Sequence, residues 1–88
     1  MYVKVSQRAM KAMESLPRDV QAKARRAVEL LKTDNERSVK PQQLKGGRGL
    51  FYGRLNTRFR IVYSKKQDEI TIVDFVDVEN ISKVMRFD

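Results

Sequence analysis

Two arginines flanking a short turn are the residues of this chain whose type and spacing point most directly to chemistry. Arg54 and Arg60 stand on either side of Asn56-Thr57-Arg58, and apolar and polar residues alternate on both flanks. Phe51 and Leu55 fall on the face opposite Tyr52 and Arg54, and Phe59, Ile61 and Tyr63 fall opposite Arg60 and Val62. A three-residue loop sets Leu55 across from Phe59 and Arg54 across from Arg60, which gathers most of the large apolar residues on one face. A two-residue loop would set Arg54 against Phe59 and mix the faces, which burial of one face forbids. Two guanidinium groups are therefore expected side by side on the open face, with Tyr52 and Val62 beside them. Like charges directly opposed across a ladder are destabilising. A bound phosphate would offset them through charge-assisted hydrogen bonds. A carboxylate of the chain would do the same, and Asp74 on the next strand is the candidate.

Composition narrows the chemistry further. The chain has 88 residues with no Cys and no His. That excludes a disulfide framework, thiol catalysis and cysteine-ligated metal, and removes the commonest general base. Lys and Arg total 19 against 11 Asp and Glu, a formal charge of +8. Residues 1–66 hold 17 basic and 5 acidic residues, whereas 67–88 hold 2 and 6. A basic body with an acidic C-terminal quarter points to something anionic: nucleic acid, a ribosome, a membrane surface or an acidic protein. Gly46-Gly47-Arg48-Gly49 is glycine-rich but precedes a strand and lacks the lysine–hydroxyl ending of a nucleotide-binding loop. Its glycines suit a turn, and Lys45 and Arg48 stand where they could reach a phosphate backbone. No apolar run approaches the roughly 20 residues of a membrane span, and the N-terminus lacks the apolar core of a signal peptide. A cytoplasmic protein without a membrane partner or small-molecule cofactor is expected.

The elements that must hold these residues can be read from period and punctuation. Tyr2–Val5 alternates as a short strand. Ser6 suits a helix N-cap, and Ala9, Met10, Met13 and Leu16 follow at helical spacing. Pro17 ends that helix and suits the first turn of the next. Val20, Ala24, Ala27, Val28 and Leu31 form the apolar stripe of the second helix. Thr33 to Gly49 shows no period and reads as a long connection. Leu50–Leu55, Phe59–Ser64 and Ile70–Val76 then read as three strands of a β-meander, with a turn at Lys65–Asp68. Ile81, Val84 and Met85 could form one helical turn after Asn80. The whole is one α+β domain over residues 1–88: an N-terminal strand, a helical hairpin, and an antiparallel β-meander packed on the helices. The hairpin covers one sheet face and leaves the other open.

Leu16-Pro17 between two helices, Gln43-Leu44-Lys45-Gly46, Leu50–Leu55 and the strand Phe59-Arg60-Ile61-Val62-Tyr63 together resemble the RelE/ParE toxin superfamily, in order and spacing over nearly the whole chain. The resemblance implies a toxin of a type II toxin–antitoxin pair, silenced by a cognate antitoxin protein. RelE-like members cleave mRNA on the ribosome, whereas ParE-like members poison DNA gyrase and are not nucleases. Under the RelE-like reading Arg60 matches the family's strand arginine, which contacts the scissile phosphate, and Arg54 matches a basic position on the preceding strand. Lys45 matches the basic residue of the leucine–basic–glycine element. Arg48, Tyr52, Arg58 and Arg86 would add RNA contacts. Metal-independent RNA cleavage also needs a base and an acid. The position of the family's C-terminal Tyr falls on Phe87, leaving Lys83, a lysine beside arginines that would depress its pKa, a carboxylate, or Tyr52. Three readings follow: a ribosome-dependent endoribonuclease acting on mRNA, a gyrase inhibitor, or a catalytically weakened member that still binds an antitoxin.

Overall fold

The change of period from helical to alternating becomes two helices laid against one face of a mixed sheet. The computed structural model describes residues 1–44 and 49–81. The chain runs β1 (Tyr2–Val5), α1 (Gln7–Ser15), α2 (Arg18–Lys32), a one-turn 3-10 helix (Glu36–Val39), β2 (Gln42–Gln43), β3 (Leu50–Arg54), β4 (Phe59–Lys66), β5 (Glu69–Asp77) and α3 (Val78–Ile81). The strand order is β1-β5-β4-β3-β2, antiparallel except where β1 runs parallel to β5. The α+β class and the meander are as expected. The expected meander gains a strand on each edge, because β1 joins β5 and β2 joins β3. The helical turn expected through Val84 and Met85 lies outside the described residues.

Local chemistry sets the helix boundaries. The Ser6 hydroxyl accepts from the Ala9 amide at 3.0 Å, capping an amide that has no partner within α1. Pro17 stands between the helices, and the Gln21 side-chain amide donates to the Met13 carbonyl at 2.9 Å, closing the joint. Ala9, Leu16, Val20, Ala24, Ala27 and Leu31 are buried, so the stripe read on α2 is the core stripe. Met10 departs from expectation: it is 50% exposed, because α1 turns buried Ala9 and half-buried Met13 to the core, followed by Leu16 at its C-cap. Between the helices and β3, the 3-10 helix and the two-residue β2 occupy part of the stretch read as irregular. Elements this short are too brief to leave a period in the sequence.

The sheet has two apolar faces of unequal size. Phe51, Leu55, Phe59, Ile61, Tyr63, Ile70, Ile72 and Phe75 meet the helices. On the other face Leu44, Tyr52, Val62 and Val76 form a smaller buried cluster, flanked by Leu50 and Val73. That face is thus partly covered, not wholly open. A β-bulge lies where Val62 pairs with Asp74 but Tyr63 pairs with Ile72, which leaves Val73 as the extra residue. It shifts the phase of β5, so Ile72 and Phe75 both reach the main core although they are three apart. The 3-10 helix is fastened by Glu36, whose carboxylate accepts from the Tyr63 hydroxyl at 2.7 Å and from Lys65 Nζ at 2.6 Å.

Burial alone would raise the Glu36 pKa, but hydrogen bonds from Lys65 and Tyr63 and the charge of Lys65 outweigh it and hold the carboxyl below its usual 4.5. Burial, then the hydrogen bond to Glu36, pushes the Tyr63 phenol up, so it remains a donor. A depressed carboxyl contributes stability that is fully present above the unfolded pKa and lost as pH falls through the folded one. Glu36→Gln is therefore expected to cost on the order of 1–2 kcal/mol at neutral pH, with the gap to the parent protein closing below about pH 4; urea unfolding across pH 3–7 checks both. Gly53 supplies a second test. A Cβ there would lie 2.9 Å from the Val39 carbonyl oxygen and 3.2 Å from Ile61 Cγ2. Gly53→Ala should destabilise by about 1–3 kcal/mol through overpacking, seen as a lower urea midpoint.

Candidate phosphate-binding site

The site is built by the β3–β4 hairpin. Arg54 pairs directly with Arg60, and the Leu55 amide donates to the Phe59 carbonyl at 3.0 Å, so the three-residue loop Asn56–Arg58 has the register read from the sequence. Both arginines share the face of Tyr52 and Val62, with Arg54 exposed and Arg60 half-buried. Their guanidinium groups converge on one acceptor. The Asn56 carbonyl accepts from Arg54 Nε at 3.3 Å and from Arg60 Nη1 at 2.5 Å, and Arg60 Nη1 also donates to the Phe59 carbonyl at 3.0 Å. Among the described residues neither arginine is paired with a carboxylate. Burial and then the charge of Arg54 push the Arg60 pKa below its ordinary value, against a smaller upward pull from Tyr52. An arginine stays protonated regardless, so the repulsion persists in the folded state. Each guanidinium carries five N–H donors, and among the described residues only the Asn56 and Phe59 carbonyls engage them, which leaves donors there for a tetrahedral oxyanion.

Asp74 does not offset the pair. It stands across from Val62 and forms a salt bridge with Arg8, Nε to Oδ2, at 3.0 Å. That removes the internal partner named for the arginines. Two other expected contacts change character. Arg58 is held by Asp77, with Nε and Nη2 at 2.8 and 2.7 Å from Oδ2, and its Nη2 lies 3.7 Å from Glu79. The hydrogen bond to Asp77 raises the Arg58 pKa, and in turn the Arg58 bond lowers that of Asp77. The Arg58 charge is thus matched within the chain, and its carbonyl accepts from the Val78 amide at 2.9 Å, which fixes the exit of β5 against the loop. Tyr52 is on the arginine face but only 8% exposed, and its hydroxyl donates to Gln42 Oε1 at 3.0 Å. It supports the site from below and does not offer its ring for stacking. Lys45, Arg48, Lys83 and Arg86 lie outside the described residues.

Asn56 is the residue that the pattern analysis did not single out. Its side-chain oxygen accepts from the Arg58 amide at 2.8 Å and the Phe59 amide at 2.7 Å, and this Asx turn aims its own carbonyl at both guanidinium groups. An Asn opening a three-residue hairpin loop is the signal that could have identified it.

No protein-family model and no curated protein matches the sequence. Solved structures do match. The RelB–RelE antitoxin–toxin complex from Methanococcus jannaschii aligns with a TM-score of 0.77 and 15% identity, covering 91% of this chain and 95% of that one. The Escherichia coli DinJ–YafQ toxin–antitoxin complex aligns at 0.76 and 12% identity, over 90% and 93%. The archaeal RelE–RelB complex from Pyrococcus horikoshii OT3 aligns at 0.68 and 22% identity, over 86% and 92%. The chain has the fold of RelE-like toxins. No helix among the described residues is long and apolar enough to cross a membrane.

The role given to Asn56 has a direct check. Asn56→Ala should lower stability by about 1–2 kcal/mol through loss of two hydrogen bonds. It should also move the Arg54 Nε–H and Arg60 Nη–H resonances toward those of freely mobile arginines. Asn56→Asp keeps the acceptor and should preserve both properties.

Proposed function

We propose that the protein is the toxin of a type II toxin–antitoxin pair and acts as a ribosome-dependent mRNA endonuclease. The observation that carries the reading is the Arg54–Arg60 pair: two opposed cations with no described carboxylate between them, aimed by one carbonyl. A structure that holds like charges together at a cost is suited to an anion that relieves it. The likeness to RelE-like folds supports the same reading, since the matched structures are toxin–antitoxin complexes.

In this mechanism Arg60 and Arg54 grip the scissile phosphate. The 2′-hydroxyl of the preceding nucleotide loses its proton to a base, its oxygen bonds to phosphorus, and the 5′-oxygen leaves with a proton from an acid. The products are a 2′,3′-cyclic phosphate and a 5′-hydroxyl. The two guanidinium groups stabilise the extra negative charge on the equatorial oxygens, where preorganised donors act most strongly. Lys83 is assigned as the base, and Lys45, Arg48 and Arg86 as further phosphate contacts. Arg58 belongs to the loop that presents the pair. The cognate antitoxin would counter the basic body with acidic residues, as the charge balance of the chain demands. A gyrase inhibitor is the second reading. It is favoured by one observation: the Tyr52 hydroxyl, the described candidate base, is engaged by Gln42.

Arg60→Ala and Arg54→Ala are each expected to leave the fold intact while lowering cleavage by about 10²–10³-fold. The measurement is sequencing of 5′ ends on ribosome-associated mRNA after induction, with circular dichroism of the purified variants. Intact mRNA with gyrase-dependent DNA breaks would replace the nuclease with the second reading.

A further inference from the structure

A groove borders the arginine pair where the sheet ends. Strand β2 pairs with β3 only at Phe51 and Tyr52, so beyond them Gly53 and Arg54 reach the margin of the sheet. There α2, the 3-10 helix and the end of β3 border an open groove of about 330 Å³, at the lower end of the roughly 300–1,000 Å³ typical of ligand clefts. Ala27, Leu30, Val39 and Leu55 give it an apolar floor, and the small Ala22 and Ala27 side chains leave it concave. Lys23, Arg26 and Arg54 supply its charges, and none of its lining residues is acidic. Arg54 therefore borders both the groove and the site that faces Arg60.

We infer that this groove is a nucleotide subsite for single-stranded RNA: a base flanking the phosphate held by Arg54 and Arg60 enters the apolar cleft, and the next phosphates lie on Arg26 and Lys23. The inference rests on the RNA reading given above and adds a path for the strand. Three features favour an RNA strand over an acidic peptide. The lining includes Arg54 of the pair with Lys23 and Arg26 and no acidic residue, so positive charge continues into the groove, as a sugar–phosphate backbone requires. The cleft offers apolar surface and guanidinium planes, both of which receive unstacked bases. Arg54 is shared, so a strand gripped at the pair is delivered directly to the groove mouth.

The subsite predicts a dependence on length. Two non-cleavable 2′-O-methyl RNAs, a trinucleotide and a heptanucleotide, serve as probes for the parent protein, the Lys23→Ala/Arg26→Ala double variant and Arg60→Ala. Both substitutions of the double variant are on the solvent side of α2, where changes rarely disturb stability, and circular dichroism verifies the fold. The double variant should bind the heptanucleotide on the order of tenfold more weakly. It should also flatten the dependence of log affinity on log salt by about 1.4, the equivalent of two single-strand phosphate contacts. Trinucleotide binding should stay within about twofold, because the arginine pair is untouched. A 4-thiouridine next to the gripped phosphate should crosslink within α2. If the double variant binds the heptanucleotide as the parent does, or loses both probes equally, the subsite is refuted while the arginine-pair reading stands. Should Arg60→Ala leave both probes unaffected, the RNA reading itself falls. An acidic peptide whose binding is lost in the double variant while heptanucleotide binding is retained would assign the groove to a protein partner and overturn the subsite.

Discussion

Everything about this site depends on a register that cannot slip. A sheet with one face against helices fixes each strand by the parity of its side chains, because a shift of one residue exchanges the faces. Phe51, Leu55, Phe59, Ile61 and Tyr63 must all point to the helices, and this leaves Arg54 and Arg60 nowhere to go but opposite one another. The repulsion is not an accident tolerated at a loose edge. It is enforced by the burial of the largest apolar side chains of the hairpin, whose combined contribution far exceeds the fraction of a kcal/mol to about 1 kcal/mol of one unfavourable cross-strand pair. A core of this kind can hold two cations in contact with a shared acceptor.

Much of this was legible before any coordinates. The large apolar residues of β3 and β4 can share one face in only one register, and that fixed the hairpin, its loop length and the facing arginines. The stripe Val20, Ala24, Ala27, Leu31 gave α2 and its buried side. What the sequence withheld has identifiable causes. Met10 shares helical spacing with its neighbours, and only the direction of packing decides that Ala9 and Met13 are inward. The bulge at Val73 breaks the alternation of β5, so the placement of Asp74 could not be derived by counting. The pairing of β1 with β5 is a contact between distant segments and leaves no local period. Arg58 and Arg60 look alike as residues, and only three-dimensional neighbours separate a cation matched by Asp77 from one that is not.

The arginine face is less bare than an open sheet would be. The cluster of Leu44, Tyr52, Val62 and Val76 seals its centre, and among the described residues Arg54 at the end of the hairpin stays exposed. This concentrates the described arginines of the face at one rim. The Asx turn of Asn56 and the Arg58–Asp77 bridge both bear on that rim. Rigidity there comes from several short polar contacts laid over an apolar base, an arrangement that limits the reorganisation a charged ligand must cause.

The parallel pairing of β1 with β5 also governs when such a surface can exist during synthesis. Tyr2 is made early, yet its partner Glu69 belongs to the last strand of the sheet. The β3–β4 hairpin can close locally, but a two-stranded ribbon alone is marginally stable in water. Contacts this remote in sequence slow folding, since loop closure precedes the gain from pairing. A nascent chain that has not yet released β5 would thus carry its arginines on an unsupported ribbon. The facing arginines sit on a supported sheet only once β5 has emerged to join both β4 and β1.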